Sequence, residues 1–135
     1  MQRTNEAVAY VGVDTTLIEG TLGDNLRLGL EVSDDEVRSL LHALLLTSEK
    51  FEQLEVRVSA NGEGFSSGER IRILIARALL YGPRLLILDD VAGLLDVPAR
   101  EAVRGVLELL PEMAIVEIGV DGTSFIAPSV TLDLA

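Results

Sequence analysis

Apolar positions along this chain fall into short runs whose period switches between that of a strand and that of a helix. Ala7 to Val13 (AVAYVGV) is an apolar run with β-branched residues before Gly12, which predicts a buried strand, and Asp14 to Gly20 then reads as a loop. Thr21 to Leu28 predicts one or two helical turns ending at Gly29. Ser33-Asp34-Asp35-Glu36 has the form of a capping box, in which the serine hydroxyl accepts from a first-turn amide and the glutamate reaches back to the serine amide. The helix predicted there carries Val37, Leu40, Leu41, Leu44 and Leu45 as one apolar stripe. Leu54 to Ser59 alternates apolar and polar positions, as a short strand does, and Asn61 to Gly64 reads as a turn.

Ile71, Leu74, Ile75, Ala78 and Leu79 repeat the helical stripe with Arg70, Arg72 and Arg77 on the other faces, until Gly82-Pro83 ends the helix. Leu85 to Leu88 is uninterrupted aliphatic sequence, the pattern of a central parallel strand covered on both faces. Asp96 stands near the start of a further helix, expected over Pro98 to Leu110 with Val103, Val106, Leu107 and Leu110 inward. Ala114 to Ile118, Ser124 to Ala127 and Val130 to Leu134 read as short strands.

Composition narrows the function classes. A chain of 135 residues, 48% hydrophobic but only 4% aromatic, suits one α/β domain with an aliphatic interior and excludes disorder. A net charge of -11 argues against a nucleic-acid partner, because phosphate backbones require clustered cations. The absence of cysteine removes disulfides and thiolate metal sites. The opening MQRTNEAVAYV lacks the basic and apolar blocks of a signal peptide, and no apolar run approaches the ~20 residues of a membrane-spanning helix. Direct membrane insertion is therefore not expected, and a membrane role would work through a partner.

Two places carry chemistry. A Ser/Gly start to the helix after Phe65 offers unpaired N–H groups at the positive end of the helix dipole, an arrangement suited to an anion. The same residues, Ser66 to Glu69, also form a capping box that needs no ligand. Asp89 and Asp90 close an aliphatic strand, and acids at the carboxyl edge of a parallel sheet lie where ligands bind in open α/β folds and suit Mg2+. Taken alone, such a pair also simply ends a strand and begins a turn.

Phe65 to Asp96, FSSGERIRILIARALLYGPRLLILDDVAGLLD, closely resembles the signature helix, Walker B strand and D-loop of ATP-binding cassette (ABC) ATPases. The usual run in that family is LSGGQ, an RQRIAIARAL-like helix, LLILDE and SALD. The earlier segment AYVGVDTTLIEGTLGDNL is similar to the Q-loop region of ABC exporters, where AYVPQD leads to FLFxGTIxxNL. The resemblance implies an α/β, P-loop NTPase-like fold with a helical signature subdomain and with the N-terminal half of the core absent. The expected organisation is a single incomplete domain over 1–135: a Q-loop strand and loop at 1–30, the helical subdomain at 31–82, and the Walker B and D-loop portion at 83–135.

Residue by residue, the resemblance makes Asp89 the magnesium-orienting aspartate and places Asp90 where the family has the glutamate that polarises the attacking water. Ser66 and Gly68 match the signature serine and second glycine, Ser67 replaces the first glycine, and Phe65 and Glu69 replace Leu and Gln. With Asp96 of the D-loop, Ser66, Ser67, Gly68 and Glu69 are the implied ATP contacts, made to nucleotide held by an opposing domain. The implied cofactors are ATP and Mg2+. The implied partners are a second ABC nucleotide-binding domain and a transmembrane transport domain, at the cytoplasmic side of a membrane.

Other positions depart from the family pattern. No G-x-x-x-x-G-K-[ST] run occurs, and the only lysine, Lys50, lies in the polar segment Ser48 to Gln53. Val13 stands at the Q-loop glutamine position, and Gly119 or its neighbour stands where the switch histidine is expected. The sole histidine, His42, reads as structural or surface. These departures predict a degenerate or truncated cassette portion that supplies a signature loop and Walker B strand to a shared ATP site and does not hydrolyse ATP alone. The alternatives are a non-catalytic assembly module with the cassette fold and the lobe of an SMC-like ATPase.

Overall fold

The computed structural model describes residues 7–120, 122–128 and 130. In chain order the elements are β1 (Val8–Gly12), β2 (Gly20–Thr21), α1 (Leu22–Arg27), α2 (Asp34–Ala43), a 3-10 turn at Glu49–Phe51, β3 (Arg57–Val58), α3 (Ser67–Tyr81), β4 (Leu85–Asp89), a second 3-10 turn at Ala92–Leu94, α4 (Val97–Glu108) and β5 (Ala114–Ile118).

The aliphatic runs pair as one parallel sheet of order β1-β4-β5, so the Leu85–Asp89 strand is central as expected. Val8, Leu85 and Ala114 share one row, Tyr10, Ile87 and Val116 a second, and Gly12, Asp89 and Ile118 the last. This register places Asp89 at the carboxyl edge of the middle strand. Side chains alternate between faces, and one face is closed: Val11, Leu86 and Leu88 are at most 1% exposed, with α3 lying against β1. On the other face the central strand expected to be covered is half-buried, at Leu85 and Ile87, and its neighbours are open. Val8, Tyr10, Val116 and Ile118 are 58%, 51%, 46% and 47% exposed.

A smaller antiparallel pair, β2 with β3, ties the first loop to the segment before α3. Only Arg57–Val58 of the alternating stretch is strand; Val56 and Leu54 instead offer their carbonyls to the Leu22 and Gly23 amides at the start of α1. Thr21 and Asp24 form a capping box there, and the left-handed cap falls on Leu28 (φ 45) ahead of Gly29. Asn25 is fully buried and fully bonded: its amide nitrogen donates to Ile18 O and Thr21 O, and its oxygen accepts from Ile18 N. It thereby pins the loop that follows β1.

Ser33 Oγ accepts from Glu36 N at 3.1 Å and starts α2, whose Val37 and Leu41 are buried as the stripe requires. The helix ends at Ala43, and Leu45 turns left-handed (φ 60) and outward while Leu46 takes the buried place. Leu45 therefore does not extend the stripe. For the same reason Leu110, beyond the end of α4 at Glu108, is not a core residue.

α3 is buried more widely than its predicted stripe, since Ile73, Ala76 and Leu80 are also enclosed; a helix apolar on most sides is one at the centre of a fold. It packs against α1, α2 and β1, and Gly82 ends it with φ 73, the left-handed conformation that glycine adopts at least cost. The stretch Ser124 to Ala127 is not a strand. Its polar backbone is satisfied by side chains instead: Phe125 N and Ile126 N donate to the Glu117 carboxylate, and Arg104 Nε donates to Phe125 O at 2.7 Å. Of the strand expected over Val130 to Leu134, only Val130 lies within the described residues.

Candidate functional site

Ser66 caps α3 in extended conformation (φ -68, ψ 165), its Oγ accepting from Glu69 N at 3.0 Å while Glu69 Oε1 accepts from Ser66 N at 2.9 Å. Arg70 N bonds back to Ser66 O. Of the orphan donors of the first turn, the Ser67 and Gly68 amides have no acceptor among the described residues.

Lys50, from the 3-10 turn, closes this capping box from outside. Its Nζ lies 2.8 Å from Glu69 Oε1 and 3.0 Å from Gly64 O. It also stands 5.4 and 5.1 Å from the ring centroids of Phe51 and Phe65, which contact each other at 5.8 Å. Burial pushes the Glu69 carboxyl upward, but the Lys50 hydrogen bond, the Ser66 amide, and the charges of Lys50 and Arg72 outweigh it and hold the group below its ordinary value.

Arg72 fastens the next turn. Its Nε donates to Gly68 O at 3.1 Å and its Nη1 to Leu44 O at 3.0 Å, so the end of α2 is tied to the start of α3. On the other side Gly68 faces the second 3-10 turn, where a Cβ would meet Leu95 Cδ2 at 3.4 Å and Leu94 O at 3.5 Å, ordinary van der Waals contact. Just beyond it Asp96 caps α4, with Oδ1 accepting from Ala99 N at 2.9 Å and Pro98 in the first turn.

Two helix N-termini thus border one pocket of about 340 Å³, lined by Ser66, Ser67, Gly68, Arg72, Leu94, Leu95, Asp96 and Ala99. Four residues singled out from sequence, Ser66, Ser67, Gly68 and Asp96, are brought together here. Glu69 is not in the lining, because its carboxylate is turned toward Lys50.

Asp89 and Asp90 lie outside that pocket as well. Asp89 ends β4, and its Oδ2 accepts the hydroxyl of Tyr10 from the neighbouring strand β1, whose ring lies over Gly12 of the same strand. That hydrogen bond, with desolvation and the charges of Asp89 and Asp14, raises the Tyr10 phenol above its ordinary value. Asp90 is exposed, its amide donates to Ile118 O at 2.7 Å, and its φ of 55 puts it in the left-handed region where aspartate and asparagine are enriched.

No group of three or more metal-binding side chains occurs among the described residues. Magnesium takes one or two carboxylates and fills its remaining sites with water and substrate phosphate, so Asp89 suits a single-carboxylate share of such a site. Val13 follows β1 and is 52% exposed. His42 Nε2 pairs with Glu52 Oε1 at 2.7 Å on the surface.

Sequence reasoning missed Lys50, Arg72 and Tyr10. Tyr10 carried a faint signal, two residues before the strand-ending glycine, but nothing local joins Lys50 to a carboxylate 19 positions on.

A family model described as "ABC transporter" matches residues 1–93. The chain is 33% identical over 115 residues to "ABC-type transporter atr1" of Mycosarcoma maydis, covering 78% of this chain and 8% of that protein. It is 30% identical over 115 residues to a "Multidrug resistance ABC transporter ATP-binding and permease protein" of Lactococcus lactis subsp. cremoris, covering 82% of this chain and 20% of the relative. The chain thus spans a fifth or less of the length of these relatives. Among solved structures, a bacterial Atm1-family ABC exporter with ATP bound superposes with a TM-score of 0.71 at 22% identity, over 84% of this chain and 21% of that one.

Proposed function

The chain belongs to the ABC transporter family, and from that membership we propose that it contributes one side of an ATP site completed by a second nucleotide-binding domain. The observation that carries the reading is the pocket at which the α3 and α4 N-termini meet. The capping geometry leaves the Ser67 and Gly68 amides available there, and Arg72 stands in the lining; these suit a phosphate presented from outside the chain. Ser66, Ser67 and Gly68 act as the signature contacts in this reading, and Asp96 sets the adjoining loop. Glu69 acts indirectly, through the capping box.

Bound MgATP would supply the transferable phosphate and the charge-neutralising cation. Asp89 would hold the magnesium through water, and Asp90 would orient the attacking water. Asp90 is shorter by a methylene than the family's glutamate, and a base displaced by about 1 Å costs on the order of 10²-fold in rate. The 135 residues contain no lysine in a P-loop pattern, so the principal nucleotide seat belongs to other chain segments or to the partner. The chain by itself therefore turns over no ATP. The same reading has residues 31–82 act as the helical signature unit and 83–135 as the core portion, working with a transmembrane transport domain at the cytoplasmic side. No helix among the described residues is long and apolar enough to cross a membrane.

The test is ATP turnover by the chain alone and after mixing with a complete cassette domain from a relative. No turnover alone, turnover on mixing and its loss in Ser66→Arg are expected. Turnover by the isolated chain, or a Ser66→Arg variant that stimulates fully, overturns the proposal.

The open apolar face at Val8, Tyr10, Val116 and Ile118 favours a second reading, a cassette-fold assembly module without nucleotide. Calorimetry with Mg-ATP in the presence of the mixed domain separates the two, since an assembly module binds the partner with no dependence on nucleotide.

A further inference from the structure

We propose that Lys50 is a positioning residue that makes the α3 N-terminus receptive to phosphate by neutralising Glu69; this rests on the reading that the pocket beside it takes an anion. A carboxylate in the first turn of a helix is stabilised by the same positive dipole end that attracts an anionic ligand, so the two compete. The signature pattern avoids that competition with a neutral glutamine, whereas this chain carries Glu69. An uncompensated charge there would repel an incoming phosphate across the first turn.

The structure compensates it within the chain. Glu69 Oε1 receives both the Lys50 ammonium at 2.8 Å and the Ser66 amide at 2.9 Å, and the carboxylate is turned out of the pocket lining. The ammonium is itself held in place by Gly64 O at 3.0 Å and by the Phe51 and Phe65 rings, with Phe51 only 1% exposed. Lys50 thus grips the loop entering α3 at the Gly64 carbonyl and, through Glu69, at the Ser66 amide. Arg72, the other cation near Glu69, is committed to the carbonyls of Gly68 and Leu44 and cannot take over that grip. The only lysine of the chain, outside any P-loop pattern, thereby has a defined task.

A double-mutant cycle tests this. Wild type, Lys50→Met, Glu69→Gln and the double variant are titrated with inorganic phosphate while the Ser67 and Gly68 amide resonances are followed by NMR, at low and at physiological salt. The double variant is expected to bind as wild type does, and Glu69→Gln, which leaves the Lys50 charge unanswered, at least as tightly. Lys50→Met alone should bind about tenfold more weakly, the deficit should shrink as salt screens Glu69, and Lys50→Arg should restore binding. Equal loss in Lys50→Met and in the double variant would reveal a merely structural lysine and overturn the inference, as would no loss in either. If no variant shows a phosphate response, the anion-site reading fails and this inference falls with it. Should Lys50→Met not fold, Lys50→Gln takes its place in the same cycle.

Discussion

The two ends of the candidate site are built in opposite ways. At the N-terminus of α3, residues from four separate stretches converge: Lys50 and Phe51, Phe65 to Glu69, Arg72 with the Leu44 carbonyl, and Leu94 to Asp96. At the end of β4, Asp89 has one side-chain partner, Tyr10, beside a sheet face left half exposed, and Asp90 stands in solvent. The first end has its shape without any ligand. The second is a pair of carboxylates on an open edge, which acquires a defined environment only when something covers it. Under the proposed shared ATP site, the α3 loop, already shaped, would meet a phosphate, and the β4 end would be completed by the nucleotide.

If that contrast is right, removing the floor beneath the first end should have the largest effect. Phe51→Ala, at a ring 1% exposed beneath Lys50, should cost about 3–5 kcal/mol in urea unfolding. The Ser67 and Gly68 amides should broaden in the same variant, while Asp89 and Asp90 resonances stay in place. Movement of both ends together would mean that they are not independently built.

Next in size, Ser66→Ala removes an N-cap and should cost about 1 kcal/mol, against little change for Ser67→Ala, which caps nothing. Chemical denaturation of the pair of variants measures the difference. At the open end the expected effect is smaller and has a backbone origin. Asp90→Ala should cost roughly 0.5–1 kcal/mol because alanine resists φ 55, whereas Asp90→Asn should be nearly neutral. Equal losses would instead point to the carboxylate charge.

The smallest effect concerns pH. The Glu69 carboxyl lies below its ordinary value in the folded chain, so the unfolded chain binds the more protons and stability rises with pH across that interval. The contribution is complete above the unfolded carboxylate value of about 4.3 and is lost as pH falls through the folded one. The stability advantage of wild type over Glu69→Gln should therefore shrink on acidification below pH ~4.3 and stay flat above it. An advantage that instead grows in acid would contradict the ion pair with Lys50.

Much of the fold could be read locally because its signals are local. The caps at Ser33, Ser66 and Asp96 each join residues three positions apart, and the LLILDD run carries its own strand character and its acidic end. Helix ends were harder: Leu45 and Leu110 continue an apolar period past the point where the backbone stops being helical, and so lie outside the core. The Ser124 to Ala127 stretch has strand-like composition, yet Glu117 and Arg104 satisfy its backbone in place of a neighbouring strand.

The sequence by itself determined the family, the order of the main helices and of the three strands of the parallel sheet, and the placing of Ser66 and Asp89 at element ends, because caps, periods and motif spacing are short-range properties. Only the tertiary structure decided which face of the sheet is closed, that Ser66, Gly68 and Asp96 share a pocket, and that Lys50 answers the charge of Glu69. Those contacts join residues far apart in the chain, and what selects them is the burial of α3 among helices and sheet, which no local pattern records.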